Sequence, residues 1–326
     1  MKRDTYETVT AAIVAALEAG TKPWQRRWAA NKPGMAMPRR STGEFYRGIN
    51  VLLLWGAAEE RGFAADTWMT FKQAIDLGGA VRKGETATKI VFFKKLTVTD
   101  RADPSGESEK QIPMLREYAV FNVEQIDGLP AKYAPQALPV VPSKARDELA
   151  EAALRSSGAD IRESGDKAFY MPSQDYVNMP TFDRFFTAGG YLATLAHELC
   201  HWTGHKTRLD RAQLNQFGSK DYAFEELVAE IGAAFVGARL GIVGEHIHNH
   251  AAYVASWLKA LKNDKRAIFK AATLAQAAAD MVLQNAALDA AEAFEDEDEA
   301  ARAPIAAPAP QPVLQPVLQL AQLALF

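Results

Sequence analysis

Cysteine is almost absent from this chain: Cys200 is the only one in 326 residues. A lone thiol has no intrachain partner, so a disulfide scaffold is excluded and a reducing compartment fits. Long apolar runs are missing too. No stretch approaches the roughly 18 residues that span a bilayer, and no membrane partner is expected. The opening residues, MKRDTYETVT, lack the apolar run of a secretory signal, so a cytoplasmic location is expected. Nor does one sign of charge dominate: 37 Lys and Arg face 40 Asp and Glu, for a net charge of −3. What is present is an ordinary globular composition, 48% hydrophobic, 24% charged and 10% aromatic. The length suits two domains at about 100–200 residues each.

The near-neutral total hides a polarity along the chain. Residues 21–50 hold seven cations (Lys22, Arg26, Arg27, Lys32, Arg39, Arg40, Arg47) and one acid, Glu44. Six of the eight residues 292–299 are acidic. A basic front implies a polyanionic partner; the acidic stretch is either a solvated spacer or a mimic that masks the front.

Periodicity and punctuation predict helices over 4–19 (Asp4 as N-cap, Gly20 after the end), 49–62 and 69–77. Strands are expected at 88–96 and 117–123, with an exposed connection over 99–111. The four prolines of 130–142 read as a linker. Behind it come a helix near 143–156, a strand and turn within 167–180, and helices at 187–203, 222–240, 251–262 and 265–288. From about 291 the chain is acidic, then rich in Ala, Pro and Gln, a composition that cannot bury enough apolar surface to order itself.

The sharpest chemical signal is His197-Glu198-Leu199-Cys200-His201, an H-E-x-x-H inside an apolar-periodic helix. Residues four apart differ by about 40° around a helix, so both imidazoles can grip one metal ion, with Glu198 placed to deprotonate a metal-bound water. A catalytic zinc needs a third ligand and an open fourth position. Glu226, 25 residues past His201 in YAFEELVAE, is the candidate, with Glu230 one turn later as the acid that orients a histidine ligand. Glu225 sits on a different azimuth and reads as solvated or capping. His205 has three readings: third ligand, oxyanion stabiliser or helix cap. Tyr222 is an oxyanion donor or a packed core residue. The three histidines His246, His248 and His250 are a second metal site or loop side chains, and Cys200 faces away from the ligands as a small apolar residue.

The front stretch interleaves aromatics with cations. Trp24, Arg26, Arg27, Trp28, Arg39, Arg40, Tyr46 and Arg47, extended by Lys72 and Lys83, have the residue types that stack on unpaired bases and neutralise phosphates. The alternative is aromatics in the core beside an ordinary charged face.

The motifs PWQRRW, YRGINVLLL and TWMTFKQAIDLGGAVRKGE in front, with FYMPSQDYVNMP, YLATLAHELCHWTGH and YAFEELVAEIGAAF behind, resemble the ArdC-type antirestriction proteins of conjugative plasmids. The resemblance covers roughly residues 5–288. It implies an α+β fold of two domains in a bacterial cytoplasmic protein: a single-stranded-DNA-binding domain, placed at 1–129, and a mainly helical zincin-like metallopeptidase domain with a small sheet, placed at 143–290. A disordered tail over 291–326 lies outside the family's pattern. It also implies protection of incoming DNA from host restriction, Zn²⁺ or another divalent ion such as Mn²⁺ as cofactor, and the metal motif on His197, Glu198 and His201 with an acid from EELVAE. It fixes no protein substrate. Separately, Gln322, Leu323, Leu325 and Phe326 resemble the Q-L-x-L-F peptide that binds the bacterial replication sliding clamp; the alternative is a chance match in a low-complexity tail.

Overall fold

The structure, a computed structural model, describes residues 4–24, 36–99, 109–133, 147–211, 220–242 and 251–286. Helix α1 (Thr5–Glu18) starts where Asp4 accepts a hydrogen bond from the Tyr6 amide, as its sequence position predicts. After β1 (Arg39–Arg40) comes α2 (Ile49–Arg61), ended by Gly62 in the left-handed conformation. Then follow β2 (Thr67–Thr70), α3 (Phe71–Asp76), β3 (Ala80–Val81), β4 (Thr88–Thr99), β5 (Glu109–Asn122) and β6 (Ile126–Asp127). The rear begins with α4 (Glu148–Arg155), β7 (Asp160–Glu163), β8 (Phe169–Met171) and β9 (Tyr176–Met179), and closes with α5 (Ala188–Thr203), α6 (Lys220–Leu240), α7 (Ala251–Asn263) and α8 (Ala267–Leu283).

The front sheet has the order β1-β2-β5-β4, with β1 parallel to β2 and the remaining pairs antiparallel. The helix expected over 69–77 instead begins at Phe71, and Met69 pairs with Phe121 in the sheet. The cause is a capping box at Thr70: its hydroxyl accepts from the Gln73 amide while the Gln73 side chain accepts from the Thr70 amide. Strands β4 and β5 run to Thr99 and Glu109, so the ladder takes in part of the polar stretch expected as a connection. In the rear, β7, β9 and β8 form a three-stranded sheet, of which β7 was not expected.

Front and rear share one apolar cluster rather than two separate cores. Trp55 of α2 meets Phe235 of α6 with ring centroids 5.8 Å apart, and Trp24 meets Trp257 of α7 at 5.9 Å. The chain to Ala291 accordingly forms one compact unit. Helices α5, α6 and α8 pack against one another, and Gly232 permits their close approach. A Cβ there would meet Cys200 Sγ at 2.8 Å and the Ala275 carbonyl at 3.4 Å. Among the described residues, no helix is long and apolar enough to cross a membrane.

Candidate metal centre

Thr187 caps α5, accepting from the Gly190 amide at 3.0 Å, and the helix then runs almost wholly buried to Thr203. His197 and His201 lie on one of its faces with their Nε2 atoms 3.2 Å apart. From the neighbouring α6, Glu226 brings Oε2 to 3.6 Å from His197 Nε2 and Oε1 to 3.6 Å from His201 Nε2. Three ligands of a tetrahedral ion at about 2.0–2.2 Å stand about 3.3–3.6 Å apart, so this donor set fits a zinc-sized cation. Among the described residues, these three form the only such group.

Charge around the group also suits a cation. Glu198, Glu225 and Glu226 are buried with their charges acting on His201, and Glu230 is buried as well. Burial lowers the pKa of His201, but the hydrogen bond to Glu225 and the charges of Glu226, Glu225 and Glu198 outweigh it and raise it to about 9. For Glu226, burial acts upward; contact with His197, the charges of both histidines and a hydrogen bond from Tyr222 prevail, holding it to about 2. Both directions express one fact: without a metal, surplus carboxylates draw a proton onto the imidazole. Cys200 is pushed up to about 12 by burial, which leaves a neutral thiol, packed against Gly232 as its apolar reading expected.

Glu225 departs from its sequence reading. It is neither solvated nor a cap, because the roll of α6 that aims Glu226 at the histidines buries Glu225 against the end of α5. One of its oxygens lies 3.3 Å from His201 Nδ1. Arg211 then grips the carboxylate with two donors, Nε at 3.0 Å and Nη2 at 2.8 Å, and also donates to the Cys200 carbonyl and the Thr203 hydroxyl. Glu225 is therefore seated on the outer nitrogen of His201, a place its sequence reading did not give it; Glu230 is buried one turn beyond Glu226. Sequence reading missed Arg211, which lies in irregular chain with no periodicity to mark it.

Tyr222 hydrogen-bonds the Glu226 carboxylate. His205 stays outside the ligand group and lies in the turn after α5, with Nδ1 2.8 Å from the Thr207 hydroxyl. That turn is fastened by Arg208, which bonds Asp175 and the Trp202 carbonyl and lies 4.0 Å from the Trp202 ring centroid.

In the front, Trp24 and Tyr46 are 3% and 5% exposed, which corrects their assignment as stacking residues. Trp24 is edge-on to Trp257, and the Tyr46 hydroxyl donates to the Trp68 carbonyl at 3.4 Å. The pull of the shared core on these large rings outweighs their setting among cations. Arg39, Lys72 and Lys83 are exposed, Arg40 and Arg47 half-buried, and Phe71 is 56% exposed beside Lys72. Arg26, Arg27, Trp28, the three histidines of 246–250 and Gln322, Leu323, Leu325 and Phe326 lie outside the described residues.

Residues 148–274 match the family described as zincin-like metallopeptidase, and residues 3–121 match the N-terminal domain of anti-restriction factor ArdC. The metal-free crystal structure of the antirestriction ArdC protein from plasmid R388 is 48% identical, with a TM-score of 0.77, over 87% of this chain and 98% of that one. The chain belongs to the ArdC antirestriction family. The Mn(II)-bound structure of the R388 protein is 47% identical, with a TM-score of 0.74, over 87% of this chain and 99% of that one. The uncharacterised protein y4eC of Sinorhizobium fredii is 43% identical over 85% of this chain and 91% of its own length. The DNA primase TraC of Escherichia coli is 40% identical over 86% of this chain, which spans 20% of the primase.

Proposed function

We propose that this ArdC-family protein binds single-stranded DNA of a mobile element through its front portion and carries a metallopeptidase-type site behind it, protecting incoming DNA from host restriction. The observation that carries the reading is the convergence of His197, His201 and Glu226 from two helices at mutual separations of 3.2–3.6 Å. Zn²⁺ fits the nitrogen and oxygen donors, and Mn²⁺, present in the R388 relative, is the second candidate. Such an ion supplies a Lewis acid and an acidified water. Glu198 serves as the proton acceptor, Glu225 with Arg211 fixes the His201 ring, and Tyr222 and Glu230 steady the ligand helix. The front portion corresponds to residues 1–129 and the metal portion to 143–290, joined through 130–142.

A second reading rests on the surplus of buried carboxylates: the ion fastens the fold, and DNA shielding needs no hydrolysis. Comparing Glu198→Gln with His197→Ala in a restriction-protection assay separates the two. Catalysis requires that both lose protection while E198Q keeps its metal; retention of protection by E198Q contradicts it. For the terminal peptide Gln322–Phe326 we propose docking to a sliding clamp. Fluorescence anisotropy of a labelled 318–326 peptide should saturate with a bacterial clamp, and no saturation at high micromolar clamp rejects it.

A further inference from the structure

The last turn of α6 carries Arg239, half-buried, which comes to lie beside the front portion's arginines. Its guanidinium carbon is 4.6 Å from the centroid of the Phe45 ring, and that of Arg39 is 4.3 Å from the same centroid. Arg39 pairs with Asp66 at 3.3 Å and Arg47 with Asp280 of α8. Among the described residues, no carboxylate lies within ion-pair distance of Arg239. Burial lowers its pKa, and the positive charges of Arg39 and Arg47 lower it further against the pull of Asp280. A cation in the last turn complements the helix dipole, which explains a basic residue there. It does not explain why that residue shares the Phe45 ring with Arg39, with Arg47 near enough for its charge to act on it. Like charges gathered at one ring are relieved by an anion, and guanidinium forks suit phosphate oxygens. Arg39 keeps 44% of its side chain exposed and Arg47 29%, so the cluster can be reached from solvent.

We propose that Arg39, Arg47 and Arg239 form a phosphate-binding cluster that takes consecutive backbone phosphates of single-stranded DNA, with Arg239 supplied by the metal-bearing portion. This rests on the single-strand reading above and extends it: the nucleic-acid surface includes α6, the helix that also supplies Glu226. Arg239 makes one of the phosphate contacts, so its removal cuts the counterions released on binding.

The test is anisotropy of a labelled oligothymidylate against the full chain across salt concentrations, for wild type, Arg239→Met and Arg239→Lys. R239M keeps the apolar stem on Phe45 and removes the charge; a thermal melt and the metal content verify that the fold is intact. R239M should bind about three- to tenfold more weakly, with a log-log salt slope shallower by about 0.7, and R239K should restore most of the slope. Wild-type affinity and slope in R239M overturn the cluster while leaving single-strand binding standing. No salt-dependent binding by the wild type overturns both. Should R239M melt early, the comparison of R239K with Arg39→Gln decides: a wild-type slope in R39Q overturns the proposal. Replacing chloride by inorganic phosphate at equal ionic strength should weaken DNA binding more in wild type than in R239M, because phosphate competes for the same guanidiniums. An equal effect of phosphate on wild type and R239M would overturn the cluster.

Discussion

His201 Nδ1 lies 3.3 Å from a carboxylate oxygen of Glu225, and this contact turns the other ring nitrogen toward His197 and Glu226. With Nδ1–H donating outward, the lone pair of Nε2 points to His197 and Glu226. Arg211 holds the same carboxylate with two donors, so a residue ten positions past the ligand governs its ring.

Arg211→Gln should therefore weaken metal binding without removing it. Loss of such an outer partner costs about 10–100-fold in affinity. Competition with a chromophoric chelator measures the change; unchanged affinity would mean that Glu225 orients His201 unaided.

Close approach of α5 and α6 depends on Gly232. Alanine there gains about 1 kcal/mol in helix propensity but adds a Cβ against Cys200 Sγ and the Ala275 carbonyl, an overpacking that costs about 1–3 kcal/mol. Gly232→Ala should lower the urea midpoint, and Cys200→Ala in the same chain should recover part of the loss. Equal effects with and without Cys200 would place the strain elsewhere.

How much of this was legible in the sequence differs by residue. The H-E-x-x-H pair and the distant Glu226 were readable because spacing on a helix fixes which side chains share a face. Asp4 as cap was readable for a similarly local reason. Glu225 was misread because azimuth on an isolated helix says nothing about what packs against it, and Arg211 approaches from irregular chain. Trp24 and Tyr46 resembled a base-stacking set by composition, yet tertiary packing buried them. Two domains were legible; the continuous core between them was not, since it depends on Trp55 finding Phe235 some 180 residues later.

The turn that delivers Arg211 is anchored by Asp175, which occupies a left-handed conformation (φ 54°) and bonds Arg208 and Tyr170. The Arg208 hydrogen bond outweighs burial and holds the Asp175 carboxyl below the usual carboxylate range. A depressed carboxylate contributes stability above its unfolded pKa and loses it as pH falls through the folded value. Asp175→Asn tolerates the backbone conformation and removes the charge, so it should cost about 1 kcal/mol or less at pH 7, given its exposure. The gap to wild type in chemical denaturation should close as pH falls below about 4. A gap independent of pH would contradict the ionic account.

Metal content per chain, measured after dialysis against limiting Zn²⁺ or Mn²⁺, tests the central claim most directly. Wild type should retain one ion per chain, His197→Ala and His201→Ala should retain none, and Glu226→Gln should bind far more weakly with its helical content unchanged. Wild-type affinity in E226Q would contradict the three-donor site and the hydrolase reading built on it.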